Sequence, residues 1–197
     1  MAKLIYIHGF KASGESEKAQ LLRKAFPNDN VISPSFSANP LVAVDQLHKI
    51  LSSDISPTIV VGTSLGGFYA TYIAVRYDVP AFIINPSLEP HITLQSYIGK
   101  HKRYGNSTEP DYDFQSPYID DLKKLFDKMH NASDKVSSNL HFYLSTDDDV
   151  LTYEKLDALF PDRQHVKTFS NSGHRFSRFS EIFPDIQKVL DKFPKKK

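Results

Sequence analysis

The chain has 197 residues, 40% hydrophobic and 24% charged, with a formal net charge of +1; it reads as one globular domain long enough to bury its own core. So small a net charge excludes a global field that would recruit nucleic acid or a membrane surface. The lack of cysteine excludes disulfides, a thiol nucleophile and thiolate metal ligands.

Apolar runs alternate with helix-period segments, the pattern of parallel βαβ construction. Lys3 to Ile7 (KLIYI) predicts a short buried strand; as a signal core it is too short, and no stretch approaches a membrane span. The expected location is therefore cytoplasmic. A helix is expected over Glu15 to Phe26, stopped by Pro27, then a second strand over Asn30 to Ser33. Pro40 to Leu51 predicts another helix, with Pro40 in its first turn and Val44, Leu47 and Leu51 on one face. Thr58 to Gly62 is the third strand, Leu65 to Tyr77 a helix, and Ala81 to Asn85 the fourth strand.

The rhythm then breaks. Residues 86–139 hold no clear strand, and a structureless loop of that length is unusual in a compact domain. The segment is read as a mostly helical cap insertion whose best helix is Pro117 to His130. Alternation resumes with a strand at Leu140 to Ser145, a helix near Tyr153 to Phe160, a strand at His165 to Phe169 and a closing helix at Glu181 to Phe193. A solvated lysine tail over 194–197 ends the chain. Six strands with helices between most of them make an α/β fold with one inserted cap.

Of eight glycines, three fall within Gly62-Thr63-Ser64-Leu65-Gly66-Gly67, between an apolar strand and a helix. The string matches G-x-S-x-G in the setting that gives it meaning, a sharp strand-to-helix turn that lifts a serine hydroxyl above the sheet. The bland alternative is a glycine-rich turn. A phosphate-cradling loop would need a lysine after the glycines, and none follows. Ser64 is therefore the candidate nucleophile, and a serine hydroxyl needs a base, itself oriented by a carboxylate.

Chain order on such a fold is serine, acid, histidine, each after a later strand. His174, in Asn171 to Phe176 (NSGHRF), follows the His165 to Phe169 strand and has Gly173 beside it to aim the ring. His141 and His165 lie in strands and read as structural or surface groups; His91, His101 and His130 fall in the cap and read as solvated. The acid belongs after Ser145, where Asp147-Asp148-Asp149 offers three neighbours and spacing alone selects none of them. The acidic spacing and central glycine of a calcium loop are absent there. An oxyanion hole needs two backbone N–H groups. Leu65, next after the serine, supplies one; Phe10, in His8-Gly9-Phe10 after the first strand, is the candidate for the other, with His8 bracing that loop by hydrogen bonding.

LIYIHGF, VGTSLGGFYATYIA, INPS, DDVLTY and SGHRF, in this order, resemble the YqiA/YcfP-like family of small bacterial α/β-hydrolase esterases. The resemblance spans the chain up to the closing helix and is weakest in the cap. It implies a compact hydrolase, lacking the first strands of the larger fold, that acts on acyl esters; the serine chemistry read from the residues requires no metal or organic cofactor. The family's acid stands two residues before a valine in a G-D-x-V-type turn, which implies Asp148, counting back from Val150. Asp147 occupies the place of the family's glycine, and this departure keeps Asp149 as the second choice. The expected partner is a small-molecule acyl ester, and the sequence leaves the oligomeric state open. Thioester hydrolysis is the neighbouring possibility, with His101-Lys102-Arg103 available to an anionic carrier. A binding protein that keeps the fold is the possibility from another class.

Overall fold

The computed structural model describes residues 2–105, 107–132 and 139–194. In chain order the elements are β1 (Lys3–Ile7), α1 (Glu17–Ala25), β2 (Asn30–Ile32), α2 (Pro40–Ser52), β3 (Thr58–Thr63), α3 (Leu65–Tyr77), β4 (Ala81–Ile84), α4 (Pro90–Thr93), β5 (Gly99–His101), β6 (Tyr112–Phe114), α5 (Pro117–His130), β7 (Leu140–Ser145), α6 (Leu156–Leu159), β8 (His165–Phe169) and α7 (Phe183–Leu190). Six strands form one parallel sheet in the order β2-β1-β3-β4-β7-β8. The chain starts at β1, steps outward to β2, then recrosses to β3 and proceeds the other way. That reversal places a topological switch point between β1 and β3, where ligands of open α/β sheets bind beyond the carboxyl ends of the strands.

Strand alternation divides the core into two layers. Leu4, Tyr6, Ile59, Val61, Phe82 and Ile84 pack with Leu22 of α1 and Ile186 of α7. Ile5, Ile7, Val60, Ile83, Phe142 and Leu144 pack with Leu47 of α2, Phe68 and Ile73 of α3, and Leu122 of α5. α2 begins as its sequence dictates: Asn39 Oδ1 accepts from the N–H groups of Leu41 and Val42, and Pro40 needs no acceptor in the first turn. Its far end is closed by Lys3, only 1% exposed, whose Nζ donates to the carbonyls of Ile50 (3.0 Å), Leu51 (3.1 Å) and Asp54 (3.3 Å). A cation there satisfies orphan carbonyls and complements the helix dipole.

The segment between β4 and β7 corrects one expectation. It carries β5 and β6, which pair as an antiparallel ribbon, besides α4, a 3-10 turn at Gln95–Tyr97 and α5. Each ribbon strand has three residues, too few for alternation to show in sequence. α5 spans the expected residues and packs on α2 and α3. The helix expected over Tyr153 to Phe160 is a single turn, Leu156–Leu159. The closing helix starts as a 3-10 turn at Phe179–Ile182 and becomes α-helical at Phe183, since Pro184 suits a first turn and not a helix interior. Of the expected lysine tail, 195–197 lie outside the described residues. Among the described residues, no helix is long and apolar enough to cross a membrane.

Candidate active site

Because the sheet is parallel, the loops after β1, β3, β7 and β8 all leave its carboxyl edge, and four sequence motifs meet there. Ser64 stands between β3 and α3 with φ 55° and ψ −121°, a conformation unfavourable for a non-glycine residue. Two glycines make so tight a turn possible. A Cβ on Gly62 would lie 2.1 Å from the Gly66 carbonyl oxygen, and one on Gly66 would lie 2.0 Å from the Ile7 carbonyl oxygen. Neither position has room for alanine, so the helix begins directly against β1 and β3.

His174 Nε2 lies 3.2 Å from Ser64 Oγ, and its Nδ1 lies 3.0 Å from both carboxylate oxygens of Asp148. The structure thus brings Ser64, His174 and Asp148 together from three loops. The Asp148 side chain is 1% exposed, against 22% for His174. Burial pushes the Asp148 carboxyl up, but hydrogen bonds from His174, Tyr153 and the N–H groups of Leu151 and Val150 outweigh it and hold the group below its ordinary value. It stays ionised, as a carboxylate facing an imidazole N–H must. Tyr153 donates to Asp148 Oδ2 at 2.5 Å; burial and that neighbouring carboxylate raise its own pKa.

The two other aspartates do different things. Asp149 is exposed and is not among the partners of His174. Asp147 accepts from Ser145 Oγ (2.7 Å) and from the N–H groups of Ser172 (3.1 Å) and Gly173 (3.3 Å), so it holds the main chain of the histidine loop.

The loop after β1 abuts the serine: a Cβ on Gly9 would sit 3.3 Å from Ser64 Cβ. Phe10, next along, packs its ring edge-on to Tyr97, His101, Tyr112 and Phe114 at centroid distances of 4.9–5.6 Å. The aromatic residues of the inserted ribbon therefore anchor this loop. Leu65 opens α3, where helix geometry leaves the first N–H groups without intrahelical acceptors. His8 is buried, and its Nε2 accepts from the Phe36 N–H at 3.0 Å. Its Nδ1 must then carry the proton and donates to the Gly9 carbonyl at 2.8 Å.

Burial lowers the His8 pKa from 6.5 to about 4, with smaller influences from the Gly9 carbonyl, Arg103 and Glu109. Between those values the unfolded chain binds the proton and the folded one does not, so stability falls as pH drops from 6.5 through 4. The full loss for this group is about 3 kcal/mol, at 1.36 kcal/mol per pKa unit. Urea denaturation at pH 7, 5 and 4 is expected to show that decline, and His8→Gln to flatten it.

The basic triplet of the ribbon is already engaged. Lys102 pairs with Asp111 at 3.0 Å, Arg103 donates to the Ala12 carbonyl at 2.6 Å, and His101 Nε2 lies 2.7 Å from the Tyr97 carbonyl. A cavity of about 460 Å³ lies between residues 12–17 and the ribbon loop, but none of Ser64, Asp148 and His174 lines it. Among the described residues no group of three or more His, Asp or Glu side chains could hold a metal ion.

Residues 3–191 match the uncharacterised protein family UPF0227. The chain belongs to that family. The UPF0227 protein YcfP of Escherichia coli is 25% identical over 181 residues, covering 86% of this chain and 99% of the relative. Among solved structures, mouse alpha/beta hydrolase domain-containing protein 10 superposes with a TM-score of 0.69 at 16% identity, covering 96% of this chain and 90% of the other. A Paleococcus ferrophilus monoacylglycerol lipase gives 0.70 at 13% identity, with 95% and 93% covered. This UPF0227 protein thus has the α/β-hydrolase fold.

Asn85 and Tyr153 escaped the sequence reading, although INPS and DDVLTY contain them. The signal for Asn85 is an asparagine directly after a fully apolar strand, where a left-handed turn residue is needed; its φ is 41°. Its neighbours complete the turn, since the Ser87 N–H donates to the Ser64 carbonyl at 3.1 Å.

Proposed function

We propose that this UPF0227 protein is a serine hydrolase that cleaves carboxylic esters through an acyl-enzyme. The observation that carries the reading is the continuous chain from the Ser64 hydroxyl to His174 and on to the buried Asp148, built on a strained strand-to-helix turn. Ser64 Oγ attacks the ester carbonyl as His174 Nε2 takes its proton. The carbonyl π bond breaks, and its electron pair becomes the oxyanion, held by the N–H groups of Phe10 and Leu65, each contributing about 3 kcal/mol. Collapse of that intermediate breaks the bond to the alcohol oxygen, which takes the proton from His174. Water then attacks the acyl-serine, deprotonated by the same imidazole, and the acid and free Ser64 are regenerated. Asp148 fixes the imidazole tautomer with the proton on Nδ1 and stabilises the imidazolium. No step calls for a metal or organic cofactor. Likeness to a monoacylglycerol lipase supports an ester as the substrate class.

A panel of p-nitrophenyl and coenzyme A esters of graded acyl length tests the reading. Ester turnover by the wild type, falling to the buffer rate in Ser64→Ala with the melting temperature kept, is the expected result. Equal turnover by the Ser64→Ala variant would overturn it.

A further inference from the structure

The loop that presents His174 is contorted. Asn171, Gly173 and Phe176 all have positive φ, at 53°, 60° and 51°. For phenylalanine this is a costly conformation, and it persists only where surrounding contacts hold it. Phe176 is held by its burial against Phe169, and residues 172–174 are gripped by two side chains from two other strand ends.

Asn85 follows β4 and is 1% exposed. Its Oδ1 accepts from the Ser145 N–H at 2.7 Å, at the end of β7. Its Nδ2 donates to the carbonyls of Gly173 (2.9 Å) and His174 (3.1 Å). Asp147 meets the opposite polarity of the same loop, through the Ser172 and Gly173 N–H groups. Four main-chain groups of residues 172–174 are thus gripped by one amide and one carboxylate. Only an amide suits the first position, which requires one acceptor and two donors.

We infer that Asn85 is a positioning residue for His174, acting on its main chain together with Asp147 to set the imidazole between Ser64 and Asp148. The inference rests on the serine-hydrolase reading above. A displacement of about 1 Å at a reacting group costs on the order of 100-fold in rate. Loss of the clamp should therefore act on turnover and not on substrate binding. A loosened His174–Asp148 contact also stabilises the imidazolium less, so the acid limb of kcat/KM should move to lower pH.

Steady-state kinetics of the full chain on p-nitrophenyl butyrate, with melting temperatures alongside, test this. Asn85→Ala is expected to lower kcat about 10- to 100-fold with KM within about twofold, and to move the acid limb down in pH. Asn85→Asp, nearly isosteric but unable to donate to both carbonyls, should lower kcat likewise; because its added carboxylate favours the imidazolium, kcat and not the limb is its readout. If neither variant folds, Asp147→Asn carries the test, with a smaller loss of kcat and the same displacement of the limb. Folded variants with wild-type kcat and an unmoved acid limb would overturn the clamp, as would a loss that merely tracks the folded fraction. Turnover retained by Ser64→Ala would instead strike the hydrolase reading itself, so the two failures are distinguishable.

Discussion

Asp148→Asn is expected to lower kcat about 10,000-fold, the scale on which a triad carboxylate acts when its amide replacement turns the imidazole into the wrong tautomer. In the native site both carboxylate oxygens lie 3.0 Å from His174 Nδ1. An amide there can present its NH2 group to Nδ1, which then accepts and leaves Nε2 protonated, unable to deprotonate Ser64. The neighbouring exposed carboxylate makes the control: Asp149→Asn should stay within about twofold of wild type, since that side chain is not among the partners of His174. Steady-state kinetics on one p-nitrophenyl ester ranks the two variants. A larger loss in Asp149→Asn would transfer the role of the acid.

Gly66→Ala should produce the largest loss of stability, because the new methyl would meet main chain. Its Cβ would stand 2.0 Å from the Ile7 carbonyl oxygen and 2.6 Å from that of His8, and neither can swing aside as a flexible side chain can. Either β1 or the start of α3 must move, at about 3 kcal/mol or more. For a chain of this size that corresponds to a fall in melting temperature of roughly 6–12 °C. Since β1 leads into the loop bearing Phe10, ester turnover should be lost along with stability. Gly67→Ala is the milder comparison, its Cβ meeting the Pro86 side chain at 3.0 Å. Thermal melts of both variants check the ranking, and an unperturbed melt for Gly66→Ala would contradict the close packing of the turn.

What the sequence made legible follows from which forces leave a periodic trace. β1, β3, β4 and β7 are buried along nearly their whole length on both faces and read as mainly apolar runs, so their limits could be placed within a residue or two. β8 was legible despite its exposure, since HVKTF has strand-forming residues between turn signals. The ribbon of β5 and β6 was not, because three-residue strands show no period and their pairing is settled by contacts with Phe10, remote in sequence.

At the site, chain order and local context single out Ser64 and His174, whereas the acid shows the limit of that reasoning. Three adjacent aspartates are equivalent in composition; burial and partners, which differ for each, are properties of the folded loop. Resemblance to a family implied Asp148, the residue the structure sets against His174. Asn85 was hidden for a related reason: its bonds reach across 60 residues to Ser145 and across 88 and 89 to Gly173 and His174.

Whether the Ser64 hydroxyl is activated can be read directly by labelling the folded protein with a fluorophosphonate and locating the adduct by peptide mass spectrometry. One adduct is expected, on Ser64, absent in Ser64→Ala and formed at least about 1,000-fold more slowly in His174→Ala. A folded protein that takes no label, or takes it on another serine at the same rate in both variants, would contradict the assignment of the nucleophile.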